Sequence, residues 1–437
     1  MGCRGRARVR PPGDSATSPK RRATPVSGWR REPTQALVEG YGLHPNALVA
    51  ILNMLAIGSA TGSQNKGEAM GKRSVVVYRE AGRYAGWPAN YGLWAWGDEL
   101  ALGFTVGYPQ TDGAFHARDK TRPFSTMLAR SLDGGETWAC SPMPIASPGG
   151  RGVSADEHML PELGVAAALA EGLPGAPTPC PGGIGFDAPG LALLCARTGL
   201  GAGTQAWFYV SYDRARTWQG PWWLPEFGHT GIEARTDYLV DGPSTCTLFL
   251  TASRATGGEG GAVICVRTTD GGLSFQEIGV VATAEQGYVI MPNSVRLPDG
   301  RIVTAVRCRS RGQSLATDSF WIDLHASDDD GRTWRHLSRP VPDTGTGGNP
   351  PAMVLLRDGR LCLTYGYRAA PYGIRARLSA DGGTTWGEEI ILRADGGSHD
   401  LGYPRTAQRP DGTIVTAYYF SDRPGGEGYI AATLWRA

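Results

Sequence analysis

The chain has 437 residues, among them 63 glycines and 31 prolines, with 19% charged side chains and a formal net charge of +2. So many turn formers, so few charges and no long amphipathic helical pattern outside one segment exclude a helical protein and point to a turn-rich all-β domain. The net charge hides an asymmetry, because residues 1–72 hold 11 of the 43 Lys and Arg but 4 of the 41 Asp and Glu; the remainder is mildly acidic, which excludes a nucleic-acid footprint there.

Residues 1–72 form a basic extension, expected to be disordered, a targeting segment or a mis-assigned start. Within it Ala47–Ile57 is an apolar run, too short to cross a bilayer, so no transmembrane segment is expected. If 47–60 is a signal region the protein is secreted or periplasmic; if translation starts at Met54 or Met70 the run is upstream sequence, and a start at Met70 leaves the protein cytoplasmic.

From Ser74 the chain turns periodic. Ser74–Glu80 (SVVVYRE) is a strand with no neighbour to pair with. Two signals then alternate. The first is an Asp turn followed by a β-rich run, at Asp98, Asp187, Asp241, Asp299, Asp358 and Asp411, a hairpin pattern. The second is the template Ser-x-Asp-x-Gly-x-Thr-Trp. It is complete at Ser131–Trp138, Ser327–Trp334 and Ser379–Trp386, has Ala215 for glycine at Ser211–Trp218, and is worn at Thr268–Phe275. The Asp accepts turn N–H groups, the glycine takes φ > 0, and the aromatic opens the next strand.

Each unit therefore reads strand A, Asp turn, strand B, loop, strand C, template turn, strand D, at the spacing of propeller blades. Six Asp turns give an all-β six-bladed propeller over 73–437, with an insertion at about 139–183. A short helix is expected in the segment SADEHMLPELGVAAALAEG, with Glu157 and His158 near its start. The sixth unit ends one strand short at Ala437, and Ser74–Glu80 is predicted to take that outer position and close the ring. Five of the eight cysteines sit in strands without paired spacing, as buried free thiols would, which suits a reducing compartment slightly better. No Cys or His cluster calls for a metal, and no organic cofactor is expected.

Template turns on a six-bladed propeller resemble the sialidase superfamily, the BNR or Asp-box repeat proteins, over about residues 73–437. The resemblance implies that Asp133, Asp213, Asp270, Asp329 and Asp381 are structural and lie on the face opposite the active site. Chemistry is then expected where the loops leading into strand A and the loops between strands B and C converge on the axis. The first set holds Asn90, Glu233, Arg235, Asn293, Asp400, Tyr403 and Arg405; the second holds His116, Asp119, Arg197, Arg254, Arg307, Arg309 and Arg368. Guanidinium groups recurring at the end of strand B can clamp a carboxylate bidentately, unless each pairs with a neighbouring acid.

Sialidases clamp the sugar carboxylate with three arginines and use a Tyr nucleophile activated by a Glu, with an Asp acid/base. By position, Arg307 or Arg309 resembles the second arginine, Arg368 the third, Tyr403 the nucleophile and Asp119 the acid/base, with Glu233 or Asp400 as further catalytic carboxylates. Arg235, Arg405, Asn90, Asn293 and His116 complete the expected substrate-binding set. Two positions depart from the family pattern: GWPANYG has no arginine where Arg-Ile-Pro is expected, and MPNSVRLPDG offers Asn293 in place of a glutamate. The resemblance implies an exo-acting sialidase-like glycoside hydrolase, a monomer whose partner is an anionic carbohydrate. Two other readings stay open: a polysaccharide lyase on uronate glycans, with Tyr403 or His116 moving the proton, and a non-catalytic glycan-binding propeller.

Overall fold

The computed structural model describes residues 71–110, 115–150 and 159–437. Contacts divide the chain into Met1–Lys66 and Gly67–Ala437. The basic extension up to Met70, its apolar run, Glu157 and His158 lie outside the described residues.

Apolar runs separated by Gly and Asp turns pair into six antiparallel sheets, the blades of a propeller. After β1 (Arg73–Tyr78), blade one comprises β2 (Tyr84–Gly86), β3 (Leu93–Trp96), β4 (Glu99–Gly107), β5 (Ser125–Ser131) and β6 (Ala139–Pro142). Its inner strand is split, since β2 and β3 both pair with β4 around a single turn at Pro88–Asn90. Blade two is β7 (Ala192–Arg197), β8 (Ala206–Ser211) and β9 (Gln219–Trp223). Blade three runs through β10 (Tyr238–Gly242), β11 (Thr245–Ala252), β12 (Ala262–Thr268) and β13 (Gln276–Thr283). Blade four is β14 (Tyr288–Arg296), β15 (Ile302–Ser310), β16 (Ser319–Ser327) and β17 (Arg335–Val341). Blade five is β18 (Ala352–Leu355), β19 (Leu361–Tyr367), β20 (Gly373–Ser379) and β21 (Ile390–Arg393). Blade six has β22 (Gly402–Gln408), β23 (Ile414–Phe420) and β24 (Tyr429–Trp435).

As expected, β1 completes blade six, in the order β22-β23-β24-β1, with Arg73 opposite Leu434 and Val75 opposite Ala432. Central strands such as β4, β8 and β23 are buried on both faces because each blade is sandwiched between two others. The cysteines at 195, 246, 265, 308 and 362 are free and buried in these strands.

Two local expectations differ. Among the described residues blade two has no strand A in its ladder; the glycine-flanked segment before Asp187 bonds instead to blade three's turns, Ile184 N–H to Gly271 O (2.9 Å) and Phe186 N–H to Pro243 O (2.8 Å). Among the described residues of the insertion the expected helix is confined to α1 (Val165–Ala170), because Pro161 starts a separate 3-10 turn and Gly164 is extended at φ −80°, ψ 171°. A proline cannot donate to the preceding turn, and the extended glycine starts the helix afresh.

The template turns form as their residues require. At Asp329, Oδ1 accepts Thr333 N–H (2.8 Å) and Ser327 Oγ–H (2.8 Å), and Oδ2 accepts Thr333 Oγ1–H (2.6 Å). Gly331, at φ +91°, donates its N–H to Ser327 Oγ, and its carbonyl receives the Trp334 indole N–H at 2.9 Å. Ala215 takes the same left-handed conformation at φ +62°, a strained one for a residue with a Cβ.

Hydroxyl and N–H donors, with Ser274, Thr333 and Thr385 foremost, pull the carboxyls of Asp270, Asp329 and Asp381 down to about 2. A pKa depressed on folding contributes stability that is full above the unfolded value of about 3.9 and is lost as pH falls through the folded value. The urea midpoint is therefore expected to fall between about pH 4 and pH 2. The double variant Asp329→Asn, Asp381→Asn should start lower at pH 6 and fall less steeply; an unchanged slope would show that these turns do not carry the acid sensitivity.

Candidate functional site

Antiparallel connectivity puts the loops between strands B and C, and those leading into strand A, at the end of the blades away from the template turns. Three of the segments leading into or opening an inner strand place a bulky residue in the left-handed region directly before a proline: Trp87 (φ 59°), Met291 (φ 55°) and Tyr403 (φ 49°). Proline disfavours helical backbone in the residue before it, and a bulky left-handed residue costs about 1–3 kcal/mol. The ladders of β14 and β22 slip register there, between Ile290 and Asn293 and between Gly402 and Arg405. Such bulges re-aim a side chain. All three residues are buried in one core cluster, and Asn349 Oδ1 fixes Tyr403 by accepting its N–H at 2.8 Å.

A cavity of about 260 Å³ opens beside them. Arg118, Arg235, Arg307 and Arg309 line it together with Tyr403 and His116, and aromatic walls come from Phe115, Tyr288 and Phe320. Arg307 is buried: it donates to Tyr403 Oη (3.1 Å) and to Gly347 O, and approaches Met291 Sδ at 3.6 Å. No carboxylate among the described residues forms an ion pair with it, and its Nε has no partner. Arg309, by contrast, is paired to Asp318 at 2.5 Å.

Arg368 lies behind Tyr403, its guanidinium carbon 5.5 Å from that ring and 5.3 Å from Phe115. It donates to Tyr419 Oη (2.6 Å) and Leu401 O (3.0 Å), and Tyr419 in turn donates to Asp400 Oδ1 (2.8 Å). Asp400 is the hub of this side. Its oxygens also accept from Tyr84 Oη (2.9 Å), Ala117 N–H (2.8 Å) and His116 Nδ1 (2.6 Å). Burial pushes the Asp400 carboxyl up, but the His116 ring, the Ala117 N–H and the Arg368 charge outweigh it and hold the group far below the ordinary carboxylate range. An ionised Asp400 only accepts, so the Nδ1 proton belongs to His116. Burial also lowers the pKa of His116, against the pull of Asp400.

The other expected residues are committed elsewhere. Asp119 is turned to Thr121, taking its N–H at 2.9 Å and its hydroxyl at 2.6 Å, and is not among the cavity-lining residues. Glu233 is wholly buried and joins two B–C loops: its Oε1 accepts Gly201 N–H (3.0 Å), Gly260 N–H (3.1 Å) and Ser253 Oγ–H (3.0 Å). Burial raises its pKa despite Arg235. Asn293 donates to Asp237 (3.0 Å) and accepts from Met353 N–H, and Asn90 accepts Arg235 Nε–H at 2.9 Å. Arg405 Nη2 reaches the carbonyls of Ala89 (2.7 Å) and Tyr91 (3.0 Å) in blade one and Thr236 (2.6 Å) in the chain leading to β10. Arg254 is likewise spent on carbonyls, those of Ala284, Glu285 and Gly287.

Sequence reasoning missed Glu259, the one carboxylate among the described residues that line the cavity, whose charge reaches Arg307. Its signal was present: it stands alone in Gly257-Gly-Glu-Gly-Gly261, where four glycines leave nothing else to face the axis.

A family model described as BNR repeat-like domain matches residues 191–416. A protein of unknown function from Dyadobacter fermentans aligns over 83% of this chain and 98% of its own, with a TM-score of 0.61 and 22% identity. The NanB sialidase from Streptococcus pneumoniae aligns over 82% of this chain and 70% of its own (TM-score 0.52, 11% identity). The α-L-arabinofuranosidase Arb93A from Fusarium graminearum aligns over 83% and 97% (TM-score 0.51, 13% identity). At these identities the likeness is one of fold. No curated protein matches the chain.

Because Arg405 satisfies three carbonyls of buried residues, Arg405→Leu is expected to lower unfolding stability by roughly 2–4 kcal/mol. Equilibrium unfolding in urea checks this. A loss below about 0.5 kcal/mol would return Arg405 to the pool of ligand-binding arginines.

Proposed function

This chain belongs to the BNR repeat-like domain family, and we propose that it is a sialidase-like glycoside hydrolase acting on a carboxylate-bearing sugar held in the axial cavity. One observation carries the reading. Arg307 is a buried guanidinium without a carboxylate partner among the described residues, set against Tyr403 in a cavity that three more arginines line. A buried charge is costly unless paired. A sugar carboxylate would supply the missing charge and accept bidentate hydrogen bonds from the guanidinium fork.

In this reading Tyr403 Oη is the nucleophile. The phenol passes its proton to solvent water, and Arg307, which donates to Oη, holds the oxygen as it attacks the anomeric carbon and forms a covalent glycosyl–tyrosine bond. As that bond forms, the glycosidic C–O bond breaks and Glu259 gives its proton to the leaving oxygen; Glu259 then takes a proton from water, whose hydroxyl displaces Tyr403 Oη from the anomeric carbon, and the released phenolate regains its proton from solvent. Glu259 takes the role that the family resemblance suggested for Asp119. That two of the structural neighbours are glycosidases supports a carbohydrate substrate.

A second reading has its own observation, the His116–Asp400 pair. A histidine whose Nδ1–H is held by an ionised carboxylate can take a proton at its other nitrogen. With arginines neutralising a uronate carboxylate, such a base would drive elimination rather than hydrolysis.

The products separate the readings. A screen of sialosides and uronate glycans should release reducing sugar without a new ultraviolet-absorbing unsaturated product; that chromophore would mark the lyase, and binding without turnover a lectin-like propeller. Arg307→Ala is expected to reduce kcat/KM by roughly 10- to 100-fold, and Tyr403→Phe to abolish hydrolysis. Unchanged kinetics in the Arg307 variant would sink the anion site.

A further inference from the structure

Glu233, expected from the sequence among the catalytic carboxylates, is wholly buried and is not one of the described residues that line the axial cavity. Its contacts give it another task. Two of the three donors to its Oε1, Gly201 N–H (3.0 Å) and Gly260 N–H (3.1 Å), belong to different blades. Each of those glycines directly follows a cavity-lining residue: Leu200 in the loop between β7 and β8, and Glu259 in the loop between β11 and β12. A backbone N–H lies in one plane with the carbonyl of the residue before it. Holding these two N–H groups therefore fixes the peptide planes that leave Leu200 and Glu259, so one carboxylate oxygen sets two residues of the cavity wall.

The loop that carries Glu259 needs such a hold. Four of the five residues 257–261 are glycine, and Gly257, Gly258 and Gly260 have φ between +66° and +97°. Glycine loses more conformational freedom on ordering than any other residue, so a fixed shape here depends on tethers. At the base of the loop Gly257 N–H bonds to Arg254 O (2.9 Å) and Gly261 N–H to Ala252 O (2.9 Å). Next to Glu259 the hold comes from outside the loop. Gly260 O accepts Val289 N–H (3.1 Å), its N–H goes to Glu233, and a Cβ on it would clash with Ile290 and with Tyr288. Glu233 is anchored in turn, its own N–H on Thr251 O (2.8 Å) and its Oε1 on Ser253 Oγ–H (3.0 Å). Its Oε2 is buried without a hydrogen-bond partner among the described residues. A bare buried oxygen costs stability, a departure that structures carry at functional sites.

We propose that Glu233 is a positioning residue for the reaction at the axial cavity: without touching substrate, it holds Glu259 where the leaving oxygen takes its proton. This rests on the reading of Glu259 as the acid/base.

Leaving-group dependence tests it. Nitrophenolate departs without a proton, whereas a sugar hydroxyl needs one. kcat/KM covers the steps up to that departure, so the later attack of water does not enter. The substrates are sialic acid and glucuronic acid, each as its 4-nitrophenyl glycoside and each linked to galactose. Glu233→Ala removes the acceptor and Glu233→Asp withdraws it by one methylene; the two guard against one failing to fold. Each should lower kcat/KM on the galactose-linked substrate by roughly 30- to 100-fold and on the nitrophenyl glycoside by less than about fivefold. Glu233→Gln, whose amide oxygen can accept the same three bonds, should restore the galactose-linked substrate to within about fivefold of the parent. Glu259→Gln is the reference and should show the same split. Equal losses on both substrates in the folded Ala or Asp variant, no loss in either, or a Gln variant as slow as the Ala one would overturn the positioning role and leave the acidic-sugar reading standing. If the parent turns over neither kind of substrate, or Glu259→Gln shows no split, that reading of Glu259 falls and the role of Glu233 with it.

Discussion

Everything at the axis depends on one antiparallel pairing, that of β1 with β24. An open fan of six sheets would expose two edges and fix no centre, whereas a ring that joins its first strand to its last removes the edges and brings the inner ends of the blades to one axis. Groups far apart in sequence then meet. Arg405 in blade six reaches Ala89 in blade one and Thr236 in the chain leading to β10, and Arg235 reaches Asn90 in blade one. These contacts span 316, 169 and 145 residues of sequence. They can form only in a closed ring, and they pin its centre in return.

On that centre the structure concentrates two unfavourable features, strained backbone and buried charge. Met291 and Tyr403 are both left-handed residues before prolines, and both touch Arg307. The surrounding core over-determines their conformation, which is how such strain persists. What results is a rigid frame around one guanidinium, while Asp400, behind the cavity-lining His116, is saturated with donors. The axis thus sets a cation that lacks a carboxylate among the described residues near a carboxylate that has every acceptor position filled.

The sequence made the ring legible because blade geometry is written in local chemistry that repeats: an Asp turn, a template turn and alternating apolar runs. It located Arg307, Arg309, Arg235, His116 and Tyr403 at the cavity because a residue's place within a blade decides which end of the ring it occupies. Place does not decide which neighbour a side chain chooses. Glu233 stands in a loop facing the axis, yet three donors from Gly201, Ser253 and Gly260 draw its carboxylate into the wall. Asp119 has a hydroxyl two residues on and folds onto it. Glu259, flanked only by glycines, has no such local partner among the described residues and lines the cavity. Blade two departs from the pattern for a related reason, since the glycines before Asp187 let that segment follow the turns of blade three instead of its own ladder.

The arginine cluster also bears on the substrate proposed for it. Glycoside cleavage passes through a sugar ring with oxocarbenium character, and a positive ring set beside Arg307 would be repelled wherever water is excluded. A neutral sugar would bring no charge to offset that repulsion. A sugar with its own carboxylate would, because the anion lies between ring and guanidinium and screens one from the other. Elimination makes a similar demand from the other side, since proton removal next to the carboxylate builds negative charge that only nearby cations can hold. Under either chemistry the carboxylate completes the electrostatics of the site as well as serving as a handle for recognition, and it is the property that the proposed hydrolase and lyase readings share.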